Sequence, residues 1–179
     1  MDKMKNQKQF LFDTLDAQDA SQILKILYAE DSKIAARIEK IANEYLSGVD
    51  VEEIAENVYA DLDDLQVEDL WDRSGPHHDG YSEPGEMAYE MVEEVLEPYL
   101  ADMKKYQKLD KPKEAKLYCM GILKGIGRYE KESKSQFKEW AGDGVGDSFS
   151  YVFIEWEKGS QNVQECKDLK EFVKNNFQK

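Results

Sequence analysis

The sequence predicts an all-α fold of about nine or ten helices in antiparallel pairs, and three observations carry this prediction. Apolar residues recur at intervals of three and four along most of the chain, which is the period of one helix face. Residues that cap helices stand where these segments begin and end. The connections are short, which suits antiparallel neighbours. The helices form either an irregular HEAT-like stack, slightly favoured, or a compact bundle.

The first elements lie in DASQILKILYAEDSKIAARIEKIANEYLSG, residues 19–48. The apolar stripe is broken at Asp31, which predicts two helices with Asp31 as the N-cap of the second and Gly48 as its stop. Asp50 then caps VEEIAENVYADL, and VEDLWDR at 67–73 predicts one further short helix.

A long helix is predicted after residue 82, with Pro84 at its first helical position. Pro98 falls inside the same pattern, so we expect a kink or a break near Glu97. In the next helix, within residues 111–133, Gly121 and Gly125 are four apart, and we expect them to let another helix approach closely.

Two segments complete the prediction. FSYVFIEW, residues 149–156, fits either a strand or a helix. A helix is favoured, because a lone strand would leave its backbone groups unpaired. The last helix is NVQECKDLKEFVKNNF, residues 162–177.

Length and composition predict one folded domain over residues 1–179, with 41% apolar and 35% charged residues. Cys119 and Cys166 form no CxxC motif, which favours a reducing compartment. The apolar run FLF near the N-terminus is too short for a signal peptide or a membrane span. We therefore expect a cytoplasmic protein without membrane contact.

Charge is unevenly distributed along the chain. Residues 50–103 contain 18 acidic side chains and one basic one, whereas residues 104–179 contain 16 basic and 12 acidic ones. Such an acidic segment argues against direct nucleic-acid binding and predicts attraction to a basic protein surface. The candidate interaction residues are Glu52, Glu53, Glu56, Glu86, Glu90, Glu93 and Glu94. Whether these acids share one face, or are balanced by lysines on separate helices, is left open by the sequence.

Trp71, Asp72 and Arg73 predict a structural latch at a helix end. Trp71 is expected to be largely buried. Arg73 is the single cation among the 18 acids of residues 50–103, and it is expected to pair with one of those carboxylates.

Both histidines lie in RSGPHHDGYSEP, residues 73–84. Its glycines and prolines favour a polar turn between helices. The alternative is a metal-dependent or hydrolytic enzyme built around His77, His78 and Asp79. Adjacent histidines usually point apart and zinc needs three or four ligands, so the turn is favoured, no cofactor is expected, and enzyme activity is not favoured.

A resemblance is carried by VEDLWDRSG, by GYSEPGEMAYEMVEEVLEPYLADMKKY and by EAKLYCMGILKGIGRYE. These runs resemble an uncharacterised family of prokaryotic all-helical proteins, similar to the helical domains of proteins with SWIM-type zinc fingers. The resemblance implies a helical fold and carries no expectation about activity. This chain lacks the Cys and His residues of such a finger, so zinc and DNA binding are not implied.

The function predicted from the sequence is that of a helical protein-protein interaction scaffold with an acidic docking surface. Oligomeric state is not specified by any pattern in the chain.

Overall fold

The structure is a computed structural model that describes residues 13–78, 80–142, 144–160 and 162–177. Within these ranges it contains nine helices and one antiparallel pair of short strands, which confirms the all-α prediction. None of the described helices is both long and apolar enough to cross a bilayer. The chain divides into two compact units, Met1–Gly48 and Val49–Lys179, so one domain over residues 1–179 stays a prediction.

The elements are, in order, α1 (Ala17–Glu30), α2 (Ser32–Leu46), α3 (Val51–Asp63), α4 (Val67–Arg73), β1 (Gly75–His77), β2 (Gly80–Ser82), α5 (Pro84–Lys108), α6 (Pro112–Glu132), α7 (Phe137–Ala141), α8 (Gly144–Gly159) and α9 (Val163–Phe177).

The described part of the first unit is a hairpin of α1 and α2. The carboxylate of Asp16 accepts from the backbone N–H of Asp19 at 2.8 Å and caps α1. Asp31 ends α1 and caps α2 by accepting from the N–H of Lys33 at 2.7 Å, as the sequence predicts. Neither helix contains a buried residue.

The second unit is organised around α6, against which α3, α5, α8 and α9 pack. Two glycines of α6 allow α3 to approach closely. A Cβ atom at Gly121 would lie 2.7 Å from Cβ of Ile54, and one at Gly125 would lie 2.6 Å from Cβ of Val58. The predicted close helix approach at these glycines is therefore confirmed.

The core of the second unit is continuous from α3 to α9. Its largest fully buried side chains include Trp156, Tyr129 and Phe137. Cys119 of α6 is fully buried, and burial raises the pKa of its thiol. Residues 149–156 are helical within α8, as favoured from the sequence. The packing is compact and no repeat is detected among the described residues, so of the two predicted arrangements the bundle is observed.

Two local predictions are narrowed by the structure. Helix α5 continues through Pro98 for a total of 25 residues, so of the predicted kink or break near Glu97 the break does not occur and the kink stays a prediction. A proline removes one backbone donor, and the packing of α5 against its neighbours outweighs that loss. The predicted polar turn between helices is a β-hairpin, in which Gly75 pairs with Ser82.

Candidate interaction site

A groove of about 620 Å³ runs along α5 where it faces α8. Its acidic end is lined by Glu90, Glu93, Glu94 and Glu97, and its other end by Lys104 and Lys108. All six lie on α5 at helical spacings of three and four, so a single helix face carries both ends. Leu96, Leu100 and Tyr151 supply apolar walls.

Most carboxylates at the acidic end of the groove have no cation beside them. Among the described residues, no salt bridge within 4.0 Å is made by Glu90, Glu93 or Glu97. Glu93 is half-buried, and its carboxylate accepts from the phenol of Tyr89 one turn earlier in α5. Burial raises the pKa of the Tyr89 phenol, and the bond to Glu93 raises it further. The acidic end thus concentrates negative charge on a partly apolar surface.

Glu94 differs from its neighbours because it is paired. The guanidinium of Arg73 donates to both of its carboxylate oxygens, at 2.9 and 2.5 Å. This forked hydrogen bond holds the pKa of Glu94 below its ordinary value. The prediction that Arg73 contacts a carboxylate of residues 50–103 is confirmed, and the pair ties α4 to α5.

The prediction that Trp71 is largely buried is wrong. Its side chain is 50% exposed and its ring packs edge-on against Trp140 of α7, with centroids 4.7 Å apart. Leu70 is the residue of α4 that enters the core. Trp71 is adjacent in sequence and so lies on the flank of this short helix, as does the exposed Asp72.

The other end of the groove is anchored by a different ion pair. Lys104 Nζ lies 2.6 Å from a carboxylate oxygen of Glu155, which is 13% exposed. The hydrogen bond raises the pKa of Lys104 and holds that of Glu155 below its ordinary value. Lys108, in the last turn of α5, lines the groove beyond it.

The remaining predicted interaction residues lie elsewhere. Glu52 pairs with Lys124, and Glu56 pairs with Arg128 at 2.7 Å, so both join α3 to α6. Glu53 is exposed on α3, and Glu86 is exposed in the first turn of α5. The structure thus brings Glu90, Glu93 and Glu94 together in the groove, while Glu52 and Glu56 are balanced by cations of α6.

The histidines connect or belong to the two short strands. His78 is exposed, whereas the predictions concerning Asp79 and the side chain of His77 lie outside what the structure describes. Among the described residues, no group of three His, Cys, Asp or Glu side chains is placed to hold a metal ion. The enzyme alternative stays an untested prediction.

Sequence reasoning placed Glu97 among the acids of the segment and named Lys104 only as a lysine that could balance them, and it missed Lys108 as a member of the site. The signal was present, because these positions continue the spacing of Glu90 and Glu93 along one helix face. The contribution of α8 carried no such signal, since Tyr151 lies far away along the chain.

No protein family, curated protein or solved structure matches the chain in any of three comparisons.

Proposed function

We propose that this chain is a protein-interaction scaffold, and that the acidic end of the α5 groove binds a basic segment of a partner protein. The observation that carries the proposal is the set of three carboxylates, Glu90, Glu93 and Glu97, that make no salt bridge among the described residues and line a groove with apolar walls. A cation bound there would relieve the repulsion between like charges on adjacent turns of one helix.

The two ends of the groove carry opposite charges, so the groove can orient a bound peptide. Glu90 and Lys108 are 18 residues apart along α5, a span of about 27 Å at the rise of an α-helix. An extended peptide of roughly eight residues covers that length. Basic side chains placed at the acidic end and an acidic side chain near Lys108 would fix the orientation of such a segment.

Complementary charge speeds association and makes it sensitive to salt. The exposed ring of Tyr151 adds an apolar contact that salt does not screen. The resemblance to helical domains that accompany zinc-finger proteins is compatible with a scaffold role. Two free cysteines are compatible with the cytoplasmic setting that belongs to the same proposal.

The test measures binding of a fluorescein-labelled Lys- and Leu-containing peptide by fluorescence anisotropy at low and moderate salt. A groove variant combines Glu90→Gln, Glu93→Gln and Glu97→Gln. The control combines three exposed acids that make no salt bridge in the described structure and lie outside the groove, namely Glu53→Gln, Glu130→Gln and Glu171→Gln. Both variants change the net charge equally.

We expect the groove variant to weaken binding by about tenfold, since three exposed ion pairs contribute roughly 0.2–1 kcal/mol each. The control should bind with little change. Equal weakening in both variants would mean that only the overall charge attracts the peptide, and unchanged binding in the groove variant would exclude the groove.

A further inference from the structure

The hairpin of α1 and α2 exposes an unusual amount of apolar side chain. Seven large residues of the two helices are at least one third exposed. Two of them are Leu24 and Tyr28, and the other five are Ile23 at 41%, Ile26 at 48%, Ile34 at 37%, Ile41 at 54% and Tyr45 at 84%. Neither helix contains a buried residue. Helices of 14 and 15 residues are marginal by themselves in water and normally depend on burial of their apolar faces.

Four of these side chains are placed on one side of the hairpin by helix geometry. At 100° per residue, Ile34 and Ile41 fall within about 20° of each other on α2. On α1, Ile23 and Ile26 lie on one side of the half-buried Leu27. The opposite side is marked by the hydrogen bond that the Tyr28 hydroxyl donates to Glu39 across the two helices.

Tyr45 extends the same stripe of α2 by one further turn. The five residues together form the open face of the hairpin, and this name is used for them below. Leu24, 50% exposed, lies on the Tyr28 side of α1 and does not belong to the open face.

The area of the open face matches what a dimer needs. At the stated exposures the five side chains present roughly 500 Å² to solvent, while a standard interface buries about 800 Å² per partner, of which about 65% is apolar in homodimers. The open face therefore supplies the apolar centre of one interface of ordinary size.

Charge also favours a second copy over an unrelated basic or acidic partner. Residues 1–48 contain 7 basic and 8 acidic side chains, so two such units do not repel each other strongly. Asp19 and Glu30 flank the open face on α1, and Lys33 and Arg37 flank it on α2. Placing α1 of one copy against α2 of another brings one of the two acids near Lys33 and Arg37.

We propose that the open face binds the open face of a second copy of this chain, forming a four-helix bundle from two hairpins. A twofold axis makes such an interface self-complementary. Four amphipathic helices in antiparallel contact enclose a core that two helices alone lack. The α5 groove lies in the other unit and contributes no residue to the open face.

The test is the molar mass of the full chain by light scattering coupled to size exclusion, at micromolar concentration. We expect twice the chain mass of 20.7 kDa. Ile41→Asp should give the single-chain mass. Leu24→Asp is the matched control, because Leu24 is nearly as exposed as Ile41 but lies off the open face, and it should remain dimeric.

Two further measurements separate a lost interface from a misfolded chain. Trp71, Trp140 and Trp156 all lie in the second unit, so an unchanged thermal transition in tryptophan fluorescence shows that this unit is intact in each variant. Ile41→Ala keeps a good helix former in place and should weaken the dimer by about tenfold, as loss of a central apolar contact does.

The proposal is overturned if the wild-type chain is a monomer, whichever segment then covers the open face. It is equally overturned if Ile41→Asp remains dimeric or if Leu24→Asp dissociates to the same extent. The groove variant of Glu90, Glu93 and Glu97 should keep the dimer mass, so failure of one proposal is distinguishable from failure of the other.

Discussion

Replacement of Gly125 by alanine tests the helix contact on which the second unit depends. A Cβ atom at this position would lie 2.6 Å from Cβ of Val58 and 2.8 Å from the backbone oxygen of Ala55. Carbon atoms normally approach no closer than about 3.5 Å. The oxygen belongs to the backbone of α3, so it cannot be moved by a change of rotamer, and the whole helix has to shift by roughly 1 Å.

Two opposing effects determine how much Gly125→Ala changes the free energy of unfolding. Overpacking a close contact costs about 1–3 kcal/mol, and here the contact is between two backbones. Alanine favours the helix over glycine by about 1 kcal/mol. The shift also loosens Ile54, Val58 and Leu62, all at most 8% exposed. We therefore expect Gly125→Ala to lower the free energy of unfolding by up to about 2 kcal/mol, which leaves it about 1–3 kcal/mol below a variant that gains the helix propensity without the clash.

The assay is urea unfolding followed by tryptophan fluorescence, with the slope of the transition checked for constancy. Gly146→Ala is the control, because it is also a helical glycine but nothing lies within 4 Å of its added Cβ. That variant should be neutral or more stable by up to about 1 kcal/mol. A Gly125→Ala protein as stable as the Gly146→Ala protein would refute the close approach of α3 and α6.

Three further outcomes are expected. Trp71→Ala should lower the free energy of unfolding in urea by only about 1–2 kcal/mol, because half of the side chain is already exposed and its edge-on ring contact contributes roughly 0.5–1.5 kcal/mol. A loss above about 3 kcal/mol would indicate that the side chain is fully buried in solution. Lys116 lies 2.8 Å from Asp168 and holds the pKa of that carboxyl below its ordinary value, so the pair stabilises the fold at neutral pH and this contribution is lost as the pH falls through the lowered pKa. Lys116→Met should therefore flatten the fall of melting temperature in acid, and an unchanged acid profile would show that the pair contributes nothing. Sodium chloride should raise the melting temperature of the wild type by screening the unpaired groove acids, and should raise that of the groove variant less; an equal rise in both would remove the argument from repulsion.

The helices and their ends were predictable because the responsible interactions are local. Asp31 and Asp50 each accept from backbone N–H groups two residues ahead, a bond that depends on sequence neighbours alone. The spacing of Gly121 and Gly125 likewise predicted a close helix approach, although not that α3 would be the partner.

The features that the sequence could not predict depend on contacts between residues that are far apart along the chain. Residues 50–103 do carry an excess of acidic side chains. Two of them, Glu52 and Glu56, are nevertheless paired with Lys124 and Arg128, which lie 72 residues further along the chain. The side of α4 that enters the core is chosen by α5, so Leu70 is buried while Trp71 stays half exposed. The groove itself exists only because α8 lies beside α5. Neither local propensity nor periodicity contains this information.

The buried thiol of Cys119 can report how often the helices of the second unit separate. At neutral pH the thiol is shielded by α6 and its neighbours, and its raised pKa keeps it protonated, so an alkylating reagent reacts only when the surrounding helices separate. Cys166 of α9 is only half-buried, so we expect it to react without that separation. The ratio of the two modification rates in one sample therefore measures how often the interior of the second unit becomes open to solvent, with no label added to the protein.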